Sequence, residues 1–204
     1  MTMRQRWFAW IYHRLVSDKG TPDFADALTR EVRAPLLGRA QGRVLEIGAG
    51  DGANLPLYPS GTQVTLLEPN RFLLAYLPGP GARAVRGRGE HLPFGTGSFD
   101  TVVSTHVLCS VRDQMAALSE VRRVLRPGGQ FLFLEHVAAP PRSLTLAAQR
   151  VVNPAWNALG DGCHLTRRTG DAIRGAGFHS LELHEFDAPY PAIVRPHVYG
   201  VARV

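Results

Sequence analysis

The run Val44-Leu45-Glu46-Ile47-Gly48-Ala49-Gly50-Asp51-Gly52-Ala53-Asn54 constrains this chain more than any other segment. An aliphatic stretch ends at Gly48, and glycines recur at alternate positions, so a short strand over Arg43–Ile47 bends sharply toward a helix. Glycines there let the backbone turn and let a ligand approach the main chain closely. Sixteen residues after Gly52 stands Glu68, at the end of the next predicted strand, Gln63–Leu67. A carboxylate at that place can accept hydrogen bonds from both hydroxyls of a ribose. A bare glycine turn would explain the bend but not the acid.

Around this feature strands and helices alternate from residue 42 onward. Arg83–Val85 reads as a third strand, Phe99–Ser104 as a β-branched fourth, and Gln114–Leu125 as a helix. Arg126-Pro127-Gly128-Gly129 should stop that helix and turn the chain into a fifth strand, Gln130–Leu134. Such alternation predicts an α/β fold, a doubly wound and mainly parallel sheet with helices on both faces. Residues 140–165, rich in Pro, Trp and Gly, read as loop, and a helix over Thr166–Ala176 ends at Gly177. Phe178–Phe186 and His197–Val201 have no helix between them, only Pro189, Pro191 and Pro196, so they should pair antiparallel at one sheet edge.

The N-terminal segment is different in character. Phe8, Ile11, Tyr12, Leu15 and Val16 fall at helical spacing over residues 5–17, with Arg4, Arg6 and Arg14 on the polar side. A second helix is expected after Thr21-Pro22-Asp23, with Thr21 as its cap and Pro22 in its first turn. Residues 1–43 supply +4 of the formal net charge of +6, from eight basic and four acidic side chains. We therefore expect residues 1–41 to form a helical lid on a domain spanning 42–204.

Composition excludes several classes. Hydrophobic residues make up 45% of the 204 and charged residues 20%, enough for a real core. The longest apolar runs, Trp7–Tyr12 and Phe72–Leu77, fall far short of the roughly 20 residues that a spanning helix requires. No signal-peptide pattern is readable, so a cytoplasmic location is expected. Two cysteines, Cys109 and Cys163, exclude a disulfide scaffold and a four-cysteine zinc site. The basic balance has no RNP-like strand, paired-Cys finger or basic helix beside it, so no nucleic-acid partner is expected.

Gly48-x-Gly50-x-x-Ala53 also fits the dinucleotide fingerprint, which alone is weak. Glu46, two residues before the first glycine, makes Glu-x-Gly-x-Gly-x-Gly, a pattern that resembles S-adenosylmethionine (SAM) sites. The loop Gly89-Glu90-His91-Leu92-Pro93-Phe94 sits where methyltransferases line the adenine, and the only lysine is Lys19, which leaves no Tyr-x-x-x-Lys pair. From Val44 to Arg203 the chain resembles a class I SAM-dependent methyltransferase, a Rossmann-like fold with a seven-stranded sheet. More narrowly it is similar to the methyltransferase-like-seven thiol S-methyltransferases and their bacterial relatives. The specific blocks are Leu108-Cys109-Ser110-Val111, Asp161-Gly162-Cys163-x-Leu165-Thr166-Arg167 and Pro196-His197-x-Tyr199-Gly200. Glu68-Pro69-Asn70, Arg126-Pro127-Gly128-Gly129, Glu135-His136-Val137 and Pro154-Ala155-Trp156 match as well. His106 departs from the group, standing where an apolar residue is expected, and the amphipathic start replaces a hydrophobic membrane anchor.

The resemblance implies SAM as methyl donor, held by Glu46, Gly48, Ala49, Gly50, Gly52, Asn54, Glu68, Pro69, Gly89, Glu90, Thr105 and His106. It implies a small acceptor, a lipophilic thiol first. Small-molecule O- or N-methylation, phospholipid-headgroup N-methylation, a silent SAM-binding module and a NAD-linked oxidoreductase stay open as alternatives. A thiol ionises near pH 8.5, so a thiol methyltransferase manages with a modest base or none. The candidate bases are His106 and His136, after the fourth and fifth strands, on the edge where ligands sit in such sheets. Glu135 and His136 alternate across the strand, so only one should face the site. Cys109 reads as a small buried thiol. Cys163 and His164, adjacent in the chain, cannot by themselves build a tetrahedral metal site, so no metal is expected. The 161–165 block reads as a turn over the acceptor pocket, lined by Asp161 or His164, and Asp100 as a strand-start hydrogen bonder. The N-terminal helix, with Trp7 and Trp10, is a candidate for peripheral membrane contact.

Overall fold

The computed structural model describes residues 3–16, 27–77 and 83–204. The helix expected after Thr21 lies outside the described residues, as does Lys19. Seven strands form one sheet: β1 Arg43–Ile47, β2 Gln63–Glu68, β3 Arg83–Arg86, β4 Phe99–Thr105, β5 Leu125–His136, β6 Ser180–Asp187 and β7 Pro196–Arg203. Their order is β3-β2-β1-β4-β5-β7-β6. The first five pair in parallel, and β7 runs antiparallel to both β5 and β6. The order reverses between β1 and β4, so the crevice beyond their carboxyl ends is where a ligand belongs.

Strand periodicity divides the core in two. Leu45, Val102, Phe131 and Phe133 pack on one face, under the helix Gln114–Val124 and around Ile173. Val44, Val103, Leu132 and Leu134 point to the other, where Leu28, Leu36, Leu37 and Ala40 cover them. This in-and-out alternation along β1, β4 and β5 is the signature of a sheet whose centre is buried on both sides. Gly200 lies where β7 passes between Phe133 of β5 and Leu183 of β6. A Cβ there would collide with the Glu182 carbonyl oxygen and lie 2.9 Å from the Phe133 ring.

The helices, numbered as they occur, are α1 Met3–Ile11, α2 Ala34–Leu37, α3 Arg71–Leu74, α4 Gln114–Val124, α5 Leu144–Leu159 and α6 Thr169–Gly175. A wider π turn, Tyr12–Val16, prolongs α1. Helix α4 starts on Asp113, whose carboxylate accepts the Met115 and Ala116 N–H groups, and ends with Arg122 and Arg123 near its negative pole.

Three expectations need correction. Residues 140–165 are not loop throughout: α5 occupies sixteen of them, capped by Ser143, whose hydroxyl accepts the Leu146 N–H. Pro154 inside it removes one hydrogen bond but does not stop it. The flanking Pro140-Pro141 and Gly160-x-Gly162 account for the loop-like composition. The fifth strand begins earlier than Gln130. Leu125 already pairs with Phe99, and pairing resumes at Gln130 with Thr101 after an irregularity that absorbs Arg126–Gly129. The helix near the C-terminus is shorter than Thr166–Ala176, because Thr166 lies in a turn and Arg167 and Arg168 are irregular before α6 begins at Thr169.

Candidate active site

The turn after β1 is built as the glycine spacing requires. Gly48, Gly50 and Gly52 have φ of 61°, 60° and 81°. A Cβ on Gly48 would lie 2.5 Å from the Val107 side chain. Ala49, between them, donates its N–H to the Leu67 carbonyl, which ties the turn to β2. At the end of β2 the two Glu68 oxygens accept the Gly50 N–H at 3.0 Å and the Asn70 N–H at 2.8 Å. Pro69 lies between these anchors. Burial pushes the Glu68 carboxyl up to about 7, against the pull of those two N–H bonds.

Glu46 is buried beneath the turn. Its oxygens accept Asn54 Nδ2 at 2.8 Å and the Tyr58 hydroxyl at 2.8 Å, and burial raises it to about 7. Asn54 Nδ2 also donates to Thr105 Oγ1 at 2.9 Å. Two acceptors then stand out: Asn54 Oδ1 and Asp51 Oδ1 are buried with no hydrogen-bond partner among the described residues. Buried acceptors of this kind need a donor to offset their desolvation. The ammonium of a methionine tail supplies one, and each Glu68 oxygen keeps a lone pair for a ribose hydroxyl. On these orphaned atoms and the positive-φ glycines, the residues fit SAM.

The N-terminal segment lies across this edge. His13 Nδ1 donates to Asp51 Oδ2 at 2.8 Å, and its ring stacks on Tyr76 with centroids 4.0 Å apart. Tyr12 sits against Gly50, where an added Cβ would be 3.3 Å from its ring. Asn70 Nδ2 reaches the Gln5 carbonyl at 3.1 Å. Sequence reasoning missed His13, Tyr12 and Tyr58, since only the fold brings them beside the turn.

Gly89 is buried among Val111, Ala117 and Ile47, and Glu90 accepts the Arg112 N–H at 2.6 Å. The same loop is pinned by Arg123, which bonds the Phe94 and Leu92 carbonyls and Glu120.

Beyond β4 and β5 lies a second set of groups. His106 has φ of 57°, a conformation rare outside glycine that clusters at functional sites. Its Nε2 is 3.0 Å from His197 Nε2, while His197 Nδ1 donates to the Arg195 carbonyl at 2.9 Å. A neutral His197 therefore accepts at Nε2, and His106 donates to it. Burial, then the neighbouring histidine, holds His106 well below its ordinary value, and burial takes His197 to about 4.

Glu135 and His136 do alternate. Glu135 faces the turn after β4, accepting Ser104 Oγ at 2.5 Å and the Val107 and Leu108 N–H groups at 3.1 Å each. His136 turns to the opposite side, where Nε2 lies 3.0 Å from Cys163 Sγ. Cys163 Sγ is also 3.5 Å from Cys109 Sγ and 3.3 Å from Trp156 Nε1. The Cys109 hydrogen bond, with those from His136 and Trp156, lowers the Cys163 thiol to about 4 despite burial. Cys109 rises well above its usual range, through that same bond and burial. His136 ends raised: burial pulls it down, but Cys163 outweighs this.

Other candidates fall elsewhere. Asp161 lies 3.9 Å from Arg4, and His164 accepts Asn157 Nδ2 at 3.0 Å, half-buried beside the cysteines. Asp100 is at the opposite end of β4, where it holds the Arg43 N–H and Arg126. A groove of about 570 Å³ lined by Arg43, Gln63, Arg83 and Ser98 also lies at that far end, away from the glycine turn.

A strand, a glycine bend, an acid closing the next strand and this strand order define a nucleotide-type cofactor crevice. The family profile described as "Methyltransferase domain" matches residues 45–133. The chain is 44% identical over 169 residues to thiol S-methyltransferase TMT1A of Homo sapiens, covering 78% of this chain and 69% of that protein. It is 42% identical over 175 residues to human thiol S-methyltransferase TMT1B, covering 80% and 72%. Among solved structures, a SAM-dependent methyltransferase from Thermotoga maritima superposes with a TM-score of 0.70 at 20% identity, over 100% of this chain and 99% of that one. The chain belongs to the class I SAM-dependent methyltransferases, in the group of TMT1A and TMT1B. It is an enzyme of that class, with SAM as methyl donor and a small molecule as acceptor.

Proposed function

We propose that this enzyme methylates a small lipophilic thiol on sulfur. The observation that carries this reading is the 44% identity to a thiol S-methyltransferase across 78% of the chain. Bound SAM supplies a methyl group on a sulfonium, already activated for in-line displacement. Gly48, Ala49, Gly50 and Gly52 then cradle its methionine end, and Asn54 and Asp51 accept from its ammonium. Glu68, braced by Pro69, takes the ribose hydroxyls, and Gly89 and Glu90 border the adenine. Glu46 acts as a positioning residue, since its carboxylate orients Asn54. Thr105 and His106 mark the passage from the donor side to the acceptor side, and His106 and His136 line the latter. A thiolate acceptor meeting a sulfonium loses charge on both partners, so a dry pocket favours the step. The protein need supply orientation and exclude water more than strong base catalysis.

Residues 1–41 serve as a lid on the domain 42–204. The contacts of Gln5, Tyr12 and His13 on the cofactor edge support this. Held there, these side chains would shield a bound donor from water. The assay that tests the whole reading is transfer of labelled methyl from SAM across thiols, phenols, amines and lipids. Thiols should lead; label confined to amines or phenols, or no transfer at all, overturns it.

A membrane-surface habit is also proposed, within a cytoplasmic setting, because Met3, Trp7 and Trp10 are exposed beside Arg4, Arg6 and Arg14. Leu144, Val151 and Leu159 of α5 are exposed too, and the Arg4–Asp161 contact places the start of α1 beside the end of that helix. Aromatic and aliphatic groups next to arginines suit the interface of an anionic bilayer. No helix among the described residues is long and apolar enough to cross a membrane. The intact chain should co-sediment with anionic liposomes more than a chain lacking residues 1–20. Equal, negligible binding by both removes the proposal.

A further inference from the structure

We propose that Cys109, His136 and Cys163 form a metal site for one zinc-type divalent ion, with a fourth coordination position open to the acceptor thiol. The second half of this proposal rests on the thiol reading above; the first half does not. The two sulfurs and the imidazole nitrogen all lie within 4.8 Å of one another. The tightest pairs are His136 Nε2–Cys163 Sγ at 3.0 Å and Cys109 Sγ–Cys163 Sγ at 3.5 Å. Tetrahedral zinc, with bonds of about 2.3 Å to sulfur and 2.0 Å to nitrogen, needs ligand-to-ligand edges of about 3.5–3.8 Å. The two measured pairs stand at or just inside that spacing, and the third pair lies within 4.8 Å, so small side-chain shifts would admit the ion.

Neighbours in the chain could not build this site; the fold supplies the partners. Cys109 follows β4, His136 closes β5, and Cys163 sits in the turn after α5. Backbone bonds hold the three pieces together: His164 N–H to the Cys109 carbonyl at 2.9 Å, and Ala138 N–H to the Arg167 carbonyl at 2.9 Å. Arg167 also donates to the Leu108 carbonyl at 2.6 Å. The ligands are therefore placed before any ion arrives. Two thiolates and an imidazole are a soft donor set that suits zinc and disfavours magnesium or calcium. Among the described residues no fourth histidine, cysteine or carboxylate joins the group. Three protein ligands with one position left is the composition of a zinc site that takes an exogenous ligand, whereas purely structural sites close with four. Cys109 and His136 are buried while Cys163 is partly exposed, so the open position lies on the side of Cys163. The Trp156 N–H directed at its sulfur steadies the thiolate from outside, as second partners do at metal centres.

With two thiolates and a neutral imidazole the occupied site carries no net charge and accepts one more thiolate. An entering R–SH gives its proton to solvent on coordination. Its sulfur then bonds the methyl carbon as the sulfonium C–S bond breaks, and that electron pair stays on S-adenosylhomocysteine. The thioether product is a poorer ligand than the thiolate and leaves.

The test is metal content by plasma mass spectrometry after dialysis against zinc and then against metal-free buffer. The wild type should hold about one zinc per chain, and Cys109→Ser and Cys163→Ser at least tenfold less. A SAM-induced rise in Tm shows that each variant is folded. Zinc competition against a chromophoric chelator on the wild type alone gives a measure independent of variants. Cobalt-substituted enzyme should show thiolate charge-transfer bands that shift when benzyl mercaptan is added. Equal trace metal in wild type and variants overturns the site, and bands indifferent to benzyl mercaptan overturn the open position. Full methylation of benzyl mercaptan by metal-free enzyme overturns the metal's part in the reaction and leaves the thiol reading standing. Stoichiometric zinc without any thiol methylation keeps the site and removes that reading.

Discussion

Glu68 Oε2 accepts the Gly50 N–H at 3.0 Å, so the acid that closes β2 is bonded to the bend that follows β1. One carboxylate thus shapes the crevice, and in the proposed reading its spare lone pairs take the sugar hydroxyls. Glu68→Gln keeps the volume but turns an NH₂ toward one of two backbone donors. SAM affinity should fall roughly 10–100-fold, in line with about 1.5–3 kcal/mol for hydrogen bonds to a charged group. Titration calorimetry reads this, and an unchanged Kd excludes Glu68 from the sugar site. Because Glu68 ionises only near 7, wild-type affinity should also strengthen from pH 6 to pH 8, and the Gln variant should lose that trend.

Glu46 offers a stability test. Its folded carboxyl ionises near 7, well above an unfolded one, so the folded state holds the proton more tightly in between. That contribution is fully present below the unfolded value and is lost as pH rises through about 7. His197, held near 4, has the opposite sign: its contribution is present above the unfolded histidine value and is lost as pH falls toward 4. The two oppose each other, so the wild-type Tm alone is a poor readout. The difference between Glu46→Gln and wild type isolates one of them. It should shift in favour of the variant between pH 5 and pH 8, by at most about 3 kcal/mol. A pH-independent difference in denaturant melts contradicts the raised carboxyl.

Gly48 and Gly50 share the same left-handed backbone but not the same surroundings. Gly50→Ala meets the Tyr12 ring at 3.3 Å, which can give a little, and should cost about 1–2 kcal/mol for the backbone alone. Gly48→Ala adds a collision at 2.5 Å with Val107 and should cost more. Chemical denaturation ranks the two, and a Gly48→Ala variant as stable as Gly50→Ala refutes the ordering.

His106 should be separable from donor binding. His106→Ala is expected to lower kcat by about 100-fold, at the low end of acid–base contributions, while SAM affinity holds. Unaltered turnover ends any part for His106 in catalysis, leaving its strained backbone as a turn requirement.

What could be read in advance follows from how local each signal is. The bend at Gly48–Gly52, the acid at Glu68 and the alternation of Phe131–Leu134 are written in neighbouring residues, and the sheet follows from them. Helix α5 was hidden because Pro154 and its Pro- and Gly-rich flanks resemble loop, while Ser143, one small cap, starts it. The bulge at Arg126–Gly129 looked like a turn because a Pro-Gly-Gly run reads the same until a partner strand shows pairing on both sides. Cys109, His136 and Cys163 stand 27 residues apart in succession, and no periodicity links them. Their meeting, like that of His13 with Asp51, is a product of the tertiary fold alone.

Gly200 carries a longer reach than its size suggests. With Phe133 on one flank and Leu183 on the other, it governs how snugly the last hairpin nests against the parallel strands. Three residues upstream, that hairpin delivers His197 to His106. A methyl group at position 200 would thus push first on the Glu182 carbonyl beside it, and the displaced hairpin would carry His197 away from His106.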